Sequence, residues 1–317
     1  MTSNKKECTS CEQNNVNTIT EAINNVAILG MTMCAACSKE GNSDDMNTCN
    51  KCKMVKYCNA ACKKKHRSKH KKKCERRVAE LHDEKLFKEA EPEECPICFL
   101  PMPIDNNTAQ FQTCCGKRIC NGCKLAMMMR KGKKLCPFCR MPPRAGAEAI
   151  TRMKKLVDKG NAEAIYNLAR FYANGSRGVP RDWNKAIELW LKAGELGCAK
   201  GYFNLGVIYR DGRGVEVDEK RAKYYYELAA MRGCIKARHN LGCFEGDFGN
   251  DKRAFKHLII AAKAGSKESL KLVKLGFIDG QVTKDEYEKT LRAYHDRQKE
   301  MKSYSREAAQ IRAARAT

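Results

Sequence analysis

Fifteen of the twenty cysteines lie between positions 34 and 139, and most come in pairs two or three residues apart. That spacing constrains the fold more than any other feature of the chain. Thiols flanking a tight turn reach one ion without strain, and zinc takes thiolate and imidazole in a tetrahedron. Disulfides at the same density need an oxidising compartment. The early apolar run VAILGMTMCAAC at 26–37 follows Glu7, Glu12 and Glu21 and ends in a cysteine pair, so it does not read as an export signal. It is also too short to span a bilayer. The expectation is an intracellular protein, cytoplasmic or nuclear, with no membrane partner and with cysteines that bind metal.

The first cluster reads Cys34-x2-Cys37, Cys49-x2-Cys52, Tyr57-Cys58-x3-Cys62 and His70-x3-Cys74. It resembles the MYND zinc finger, including the Tyr before the fifth ligand. The resemblance implies two interleaved sites, Cys34, Cys37, Cys58 and Cys62 on one zinc, and Cys49, Cys52, His70 and Cys74 on the other. His66 reads as a solvated residue of a basic helix. Where family members usually carry Gln and Trp for gripping proline-rich peptides, this chain has Lys63 and Arg67.

The second cluster is Cys95-Pro-Ile-Cys98, then Cys114, Cys115, Cys120-x2-Cys123 and Cys136-Pro-Phe-Cys139-Arg140. It resembles a RING finger with eight cysteine ligands. The cross-brace order implies Cys95, Cys98, Cys120 and Cys123 on one ion, and Cys114, Cys115, Cys136 and Cys139 on the other. Adjacent ligands on one metal are unusual, and Gly116 supplies backbone freedom beside them. The alternative is a free thiol at one of the two positions. Four zinc ions are expected in all. The resemblance also implies a surface for a ubiquitin-charged conjugating enzyme (E2) at Ile97, Met127, Pro137 and Phe138, with Arg140 as the cation bridging E2 and ubiquitin. The competing reading is that Ile97 and Phe138 only pack a small core.

From residue 160 the composition shifts and a solenoid-length period appears. Residues 161–197, 198–233 and a shortened 234–265 align, and a weaker copy begins at Ser266. Trp183, Ala186, Ile187, Trp190 and Leu191 lie on one helical face. Asp182, Asp218, Asn250 and Thr283 stand just before each second helix, as N-cap residues would. The links GSRGVPRD and GRGVEVD resemble those of Sel1-like repeats, which implies a superhelix that binds peptides or protein helices. Cys198, Cys234 and Cys243 read as small packing residues, and His239 and His257 as structural or solvated.

The formal net charge is +24, and residues 63–77 hold ten Lys or Arg against one Glu. No Phe, Tyr or Trp interleaves these cations, as a single-strand binder would want. A solvated helix face is therefore the first reading, nuclear import or acidic-protein contact the second, and nucleic acid the last. Cys8 and Cys11 lack a second pair and read as free thiols.

The expected fold is multidomain, two small cross-brace zinc modules followed by an all-α solenoid. The divisions are a disordered tail at 1–29, a MYND-type finger at 30–75, a charged helical linker at 76–92 ending near Pro92, a RING-type finger at 93–142, a linker at 143–160, Sel1-like repeats at 161–300 and a charged tail at 301–317. The expected function is a ubiquitin ligase that recruits a charged E2 through the RING-type finger and a protein target through the repeats. The alternative is a non-enzymatic scaffold built from the same modules.

Overall fold

The computed structural model describes residues 31–104, 109–129, 134–144 and 146–314. The readings of residues 1–29, Cys8 and Cys11 included, lie outside the described residues. Two compact units are present, divided between Lys85 and Leu86.

In the first unit, strand β1 (Met31–Met33) pairs antiparallel with β2 (Glu40–Asn42), Thr32 facing Gly41. Strand β3 (Asn47–Thr48) pairs with β4 (Lys56–Tyr57). The long helix α1 (Ala60–Leu86) follows. Asn59 starts it, its Oδ1 accepting the Cys62 N–H at 2.8 Å. Cys62, His70 and Cys74 project from one side, and the cations of the basic run are mostly exposed. His66 is half-buried rather than fully solvated: its Nδ1 lies 3.2 Å from the Tyr57 hydroxyl and its ring stacks on His70. Helical spacing puts residues 66, 70 and 74 on one face, which turns His66 inward with the ligands.

The second unit begins with the last residue of α1. Strand β5 (Ala109–Phe111) pairs with β6 (Arg118–Cys120), which leads directly into α2 (Asn121–Met129). Eight helices follow, α3 (Gly146–Asp158), α4 (Ala162–Asn174), α5 (Trp183–Glu195), α6 (Ala199–Asp211), α7 (Glu219–Met231), α8 (Ile235–Asp247), α9 (Asp251–Lys263) and α10 (Lys267–Ile278). Then come α11 (Lys284–Glu300) and α12 (Tyr304–Ala314). The main core runs through the array on Met153, Ile165, Trp190, Leu205, Tyr226 and Leu241. Buried alanines between these large side chains let neighbouring helices approach closely.

Of the expected caps, Asp182 and Asp218 accept backbone N–H groups at 2.9 Å, and Thr283 forms a reciprocal capping box with Glu286. Asn250 stands at its N-cap without a side-chain bond. Asn161 and Ser266 cap the first helices of their pairs, whereas Cys198 and Cys234 occupy equivalent places with no cap bond.

Three connecting segments differ from expectation. The 143–160 linker contains α3, which buries Ala149, Ile150 and Met153. The 301–317 tail contains α12, with Arg306 only 5% exposed. Helix α1 stops at Leu86 rather than near Pro92, where Arg238 takes the carbonyl oxygens of Leu86 and Lys88. In each case the cause is a tertiary contact rather than a local sequence signal.

Candidate metal centres and the surfaces around them

Four cysteine turns have one geometry. The carbonyl of the first cysteine accepts an N–H from the residue after the second: Ser38 for Cys34, Lys53 for Cys49, Phe99 for Cys95 and Arg140 for Cys136. Those four residues have φ between 56° and 60°. A left-handed L-residue costs roughly 1–2 kcal/mol, and here the turn aims two sulfurs at one point. Gly116, at φ 75°, supplies the same conformation after Cys115 without that cost.

The turns assemble four tetrads: Cys34, Cys37, Cys58 and Cys62; Cys49, Cys52, His70 and Cys74; Cys95, Cys98, Cys120 and Cys123; and Cys114, Cys115, Cys136 and Cys139. Within each, the ligand atoms lie within 4.8 Å of one another. Sulfur separations are 3.7 Å for Cys37–Cys58, 3.8 Å for Cys49–Cys74 and Cys95–Cys123, 3.9 Å for Cys98–Cys120 and 3.7 Å for Cys115–Cys136. A tetrahedron with zinc–sulfur bonds of about 2.3 Å has edges near ~3.8 Å, whereas a disulfide needs about 2.0 Å. The donor sets therefore fit four zinc ions. Cys114 and Cys115 both belong to the fourth tetrad.

Electrostatics points the same way. Burial raises the Cys49 thiol, but donation from the backbone N–H groups of Cys52 and Lys51 outweighs it and brings the group down to about 6. In the same tetrad, burial and the neighbouring Cys49 sulfur push Cys74 up to about 11. Cys95 and Cys136 are likewise brought down to about 7 against their burial, by backbone N–H donors. Burial holds Cys123 and Cys114 well above the usual thiol range. Several thiolates this close need a cation among them.

Around the third tetrad, Ile97, Met102, Met127 and Phe138 pack half-buried on Ile119 and the ligand cysteines. Lys117 lies over the Phe138 ring, 4.6 Å from its centroid. Pro137 and Arg140 are exposed. The left-handed conformation of Arg140 is a requirement of the cysteine turn itself. Lys63 reaches the Asn50 amide oxygen at 3.5 Å, and Arg67 is exposed.

In the array, Trp190 and Tyr226 are core residues. Tyr202, Tyr225 and Tyr209 form a stacked ladder, with Arg232 over Tyr202 and Arg221 over Tyr209. A cleft of about 910 Å³ is lined by Arg118, Tyr166, Lys200, Phe203, Arg238 and Arg297, among others. His239 meets the Ser269 hydroxyl at 3.0 Å, and His257 is fully buried. The signal that sequence reasoning missed is Arg306, which reaches Pro101 and Cys98 about two hundred residues earlier in the chain.

Comparison with known proteins agrees with two of these modules. The MYND finger family matches residues 34–74, and the Sel1 repeat family matches 162–198, 199–234 and 235–266. Cytochrome c oxidase assembly factor 7A of Xenopus laevis is 34% identical over 80 residues, covering 24% of this chain and 35% of that protein. ERAD-associated E3 ubiquitin-protein ligase component HRD3A of Arabidopsis thaliana is 45% identical over 56 residues, covering 18% of this chain and 8% of that protein. This chain thus spans about a third or less of either relative. A Sel1 repeat protein from Oxalobacter formigenes superposes with a TM-score of 0.42 at 24% identity, over 47% of this chain and 64% of that one. No helix among the described residues is long and apolar enough to cross a membrane. The chain accordingly carries a MYND finger and three Sel1 repeats, with a second cysteine-rich module consistent with a RING-like finger between them in sequence, and its four tetrads are zinc-binding donor sets.

Proposed function

We propose that the chain is a RING-type ubiquitin ligase whose second zinc module engages a charged E2 and whose Sel1 repeats hold a protein target. The observation that carries this reading is the grouping of Ile97, Met127 and Phe138 around one tetrad, with the exposed cation Arg140 directly after the last ligand. An apolar patch beside a cation is the chemistry that docks an E2 and restrains its ubiquitin. The HRD3A relative, whose name places it in a ubiquitin ligase, supports the reading through its short match.

Such a ligase forms no covalent intermediate. It accelerates aminolysis of the E2 thioester by holding E2 and ubiquitin in the reactive arrangement, so the lysine attack starts from an aligned geometry. Zinc, when bound, closes each tetrad and supplies folding free energy rather than reaction chemistry. The apolar residues set the docking face, and Arg140 donates hydrogen bonds across the two bound proteins.

The test uses the zinc-loaded full chain with a panel of ubiquitin-charged E2 enzymes and free lysine as acceptor. Accelerated discharge, lost in Ile97→Ala and Arg140→Ala while zinc content stays at four ions, is the expected result. Absence of acceleration across the panel, with zinc retained, would leave the adaptor reading. That second reading is favoured by the MYND and Sel1 matches, both of which are interaction modules.

A further inference from the structure

Helix α12 is docked on α2, the helix that carries the Cys123 ligand. The two helices approach closely at Gly122, where an added Cβ would stand 2.7 Å from the Arg306 backbone nitrogen and 2.9 Å from the Ser305 carbonyl carbon. Any side chain at 122 displaces α12. Only glycine fits, and the consequence is that Arg306 enters the second zinc module from the far end of the chain.

The Arg306 guanidinium reaches the first cysteine turn of that module. Its Nη1 donates to the Pro101 carbonyl at 2.7 Å and to the Met301 carbonyl at 2.9 Å. Its Nη2 donates to the Leu100 carbonyl at 3.3 Å and lies 3.4 Å from the Cys98 sulfur. The Leu100 carbonyl is also the acceptor for the Cys95 N–H that closes the turn. One buried guanidinium therefore touches the backbone that shapes the turn and one of the sulfurs it presents.

The electrostatic argument has the same direction. A tetrad of four thiolates around one divalent ion carries a net charge of about −2. A guanidinium at hydrogen-bond distance from one ligand sulfur offsets part of that charge, and its planar fork holds the loop and the sulfur together in a way a lysine ammonium does not. A donor to a metal-bound thiolate also lowers its nucleophilicity.

We infer that Arg306 is a positioning residue of the third zinc site, holding Cys98 and the 98–101 loop in ligating geometry, and that α12 is an integral part of the second zinc module. The second module is thus completed only when the chain beyond the repeats has folded back onto it. The inference rests on the donor set of the tetrad and stands or falls separately from the ligase reading.

The experiment compares the zinc-loaded full chain with Arg306→Ala and Arg306→Lys. Zinc release to a chromophoric chelator and thiol alkylation mapped by mass spectrometry are measured side by side. Loss of a residue that supports a metal ligand typically weakens the site about 10–100-fold. In Arg306→Ala, one of the four ions is expected to leave at least about tenfold faster. Cys98 should be alkylated ahead of the ligands of the other three tetrads. Arg306→Lys should fall between, and hydrogen exchange across 304–314 should stay protected in it, which separates donation to Cys98 from simple undocking of α12. Unchanged release and unchanged Cys98 labelling in Arg306→Ala would overturn the inference. So would equal acceleration at the Cys114, Cys115, Cys136 and Cys139 tetrad. Should the alanine variant not fold, Arg306→Lys decides by the same two readouts.

Discussion

Arg238 donates through Nη1 to the carbonyl oxygen of Leu86 at 2.7 Å, across 152 residues of chain. Leu86 is the last residue of α1, so this carbonyl lies in the last helical turn and has no partner within the helix. The second nitrogen of the same guanidinium takes the Lys88 carbonyl. Beside it, Phe87 lies against His257 with Arg253 and Lys256 over its ring, and Lys263 pairs with Glu89 at 3.2 Å. The segment 86–89 is thereby stitched to α8 and α9, which a reading of 76–92 as a charged helical linker does not anticipate.

Arg238→Ala is expected to lower stability by about 2–4 kcal/mol, since it removes two hydrogen bonds from a charged donor and leaves the buried Leu86 carbonyl without this partner. Arg238→Lys should recover only part of this, because an ammonium lacks the fork that meets both carbonyls. Denaturant midpoints of the two variants, with exchange protection at 86–89, provide the check. A loss below about 0.5 kcal/mol, typical of a neutral surface change, would show that the stitch carries little of the fold.

His257 is fully buried, and neither ring nitrogen has a hydrogen-bond partner. Burial, reinforced by Arg238, Arg253 and Lys223 and opposed by Glu245, brings its pKa down to about 3. Its unfolded value is near 6.5. Below that pH the unfolded chain takes up a proton that the folded chain refuses, so stability falls as pH drops from 6.5 toward 3. At pH 5 the loss is about 2 kcal/mol. His257→Leu should be neutral or stabilising at pH 7 and should remove this part of the acid dependence. Stability curves of variant and wild type that run parallel from pH 7 to 5 would rule the assignment out.

The ligands were legible because each is a fixed residue type at a fixed spacing, while their grouping into tetrads, the adjacent Cys114 and Cys115 included, came from the resemblance to the two finger families. The caps Asp182, Asp218 and Thr283 were readable for a similar reason, since a side-chain acceptor three residues before an N–H is a local signal. Arg306 was not. It is one of 61 cations, and apart from the nearby Met301 carbonyl its partners, the Pro101 and Leu100 carbonyls and the Cys98 sulfur, come near only in the folded chain. Helix α3 is not legible because Pro142 and Pro143 before it and Gly146 at its start read as a linker, and the burial of Met153 depends on the first repeat packing over it. His66 was misread because its partner Tyr57 comes from a strand.

The glycines of the array separate steric need from helix propensity. A Cβ at Gly206 would meet the Tyr226 ring at 2.5 Å, whereas one at Gly246 would find its nearest neighbour, Ala254 Cβ, at 3.9 Å. Both lie within helices. Alanine gains up to about 1 kcal/mol over glycine in a helix interior, and overpacking costs about 1–3 kcal/mol. Gly206→Ala should therefore destabilise, and Gly246→Ala should be neutral or mildly stabilising. Thermal midpoints moving in the same direction for both would mean that the α6–α7 contact is softer than its geometry.

Removal of zinc should split the molecule by core composition. In the first module, four of the six core residues are cysteines, Cys34, Cys49, Cys52 and Cys74, beside Met46 and Tyr57. In the second, three of four are cysteines, Cys95, Cys120 and Cys123, beside Ile119. Without a cation those cores are clusters of mutually repelling or protonated thiols. Structural zinc supplies apparent binding energies of about 10–16 kcal/mol in finger peptides, which two or three apolar side chains at about 1.5–3 kcal/mol each cannot replace. The array has Trp190, Tyr226, Leu205 and Ile165 buried and needs no metal. A strong chelator is therefore expected to abolish exchange protection over 34–58, 95–104, 109–129 and 134–140 while α4 to α10 stay protected and helical by circular dichroism. Helix α12 should lose protection together with the second module, because its dock on Gly122 and the acceptors of Arg306 go with that module. Protection of the 95–101 turn that survives complete zinc removal would show that the backbone hydrogen bonds and Arg306 hold it alone, and the tetrads would then be ligand sites built on a module folded beforehand.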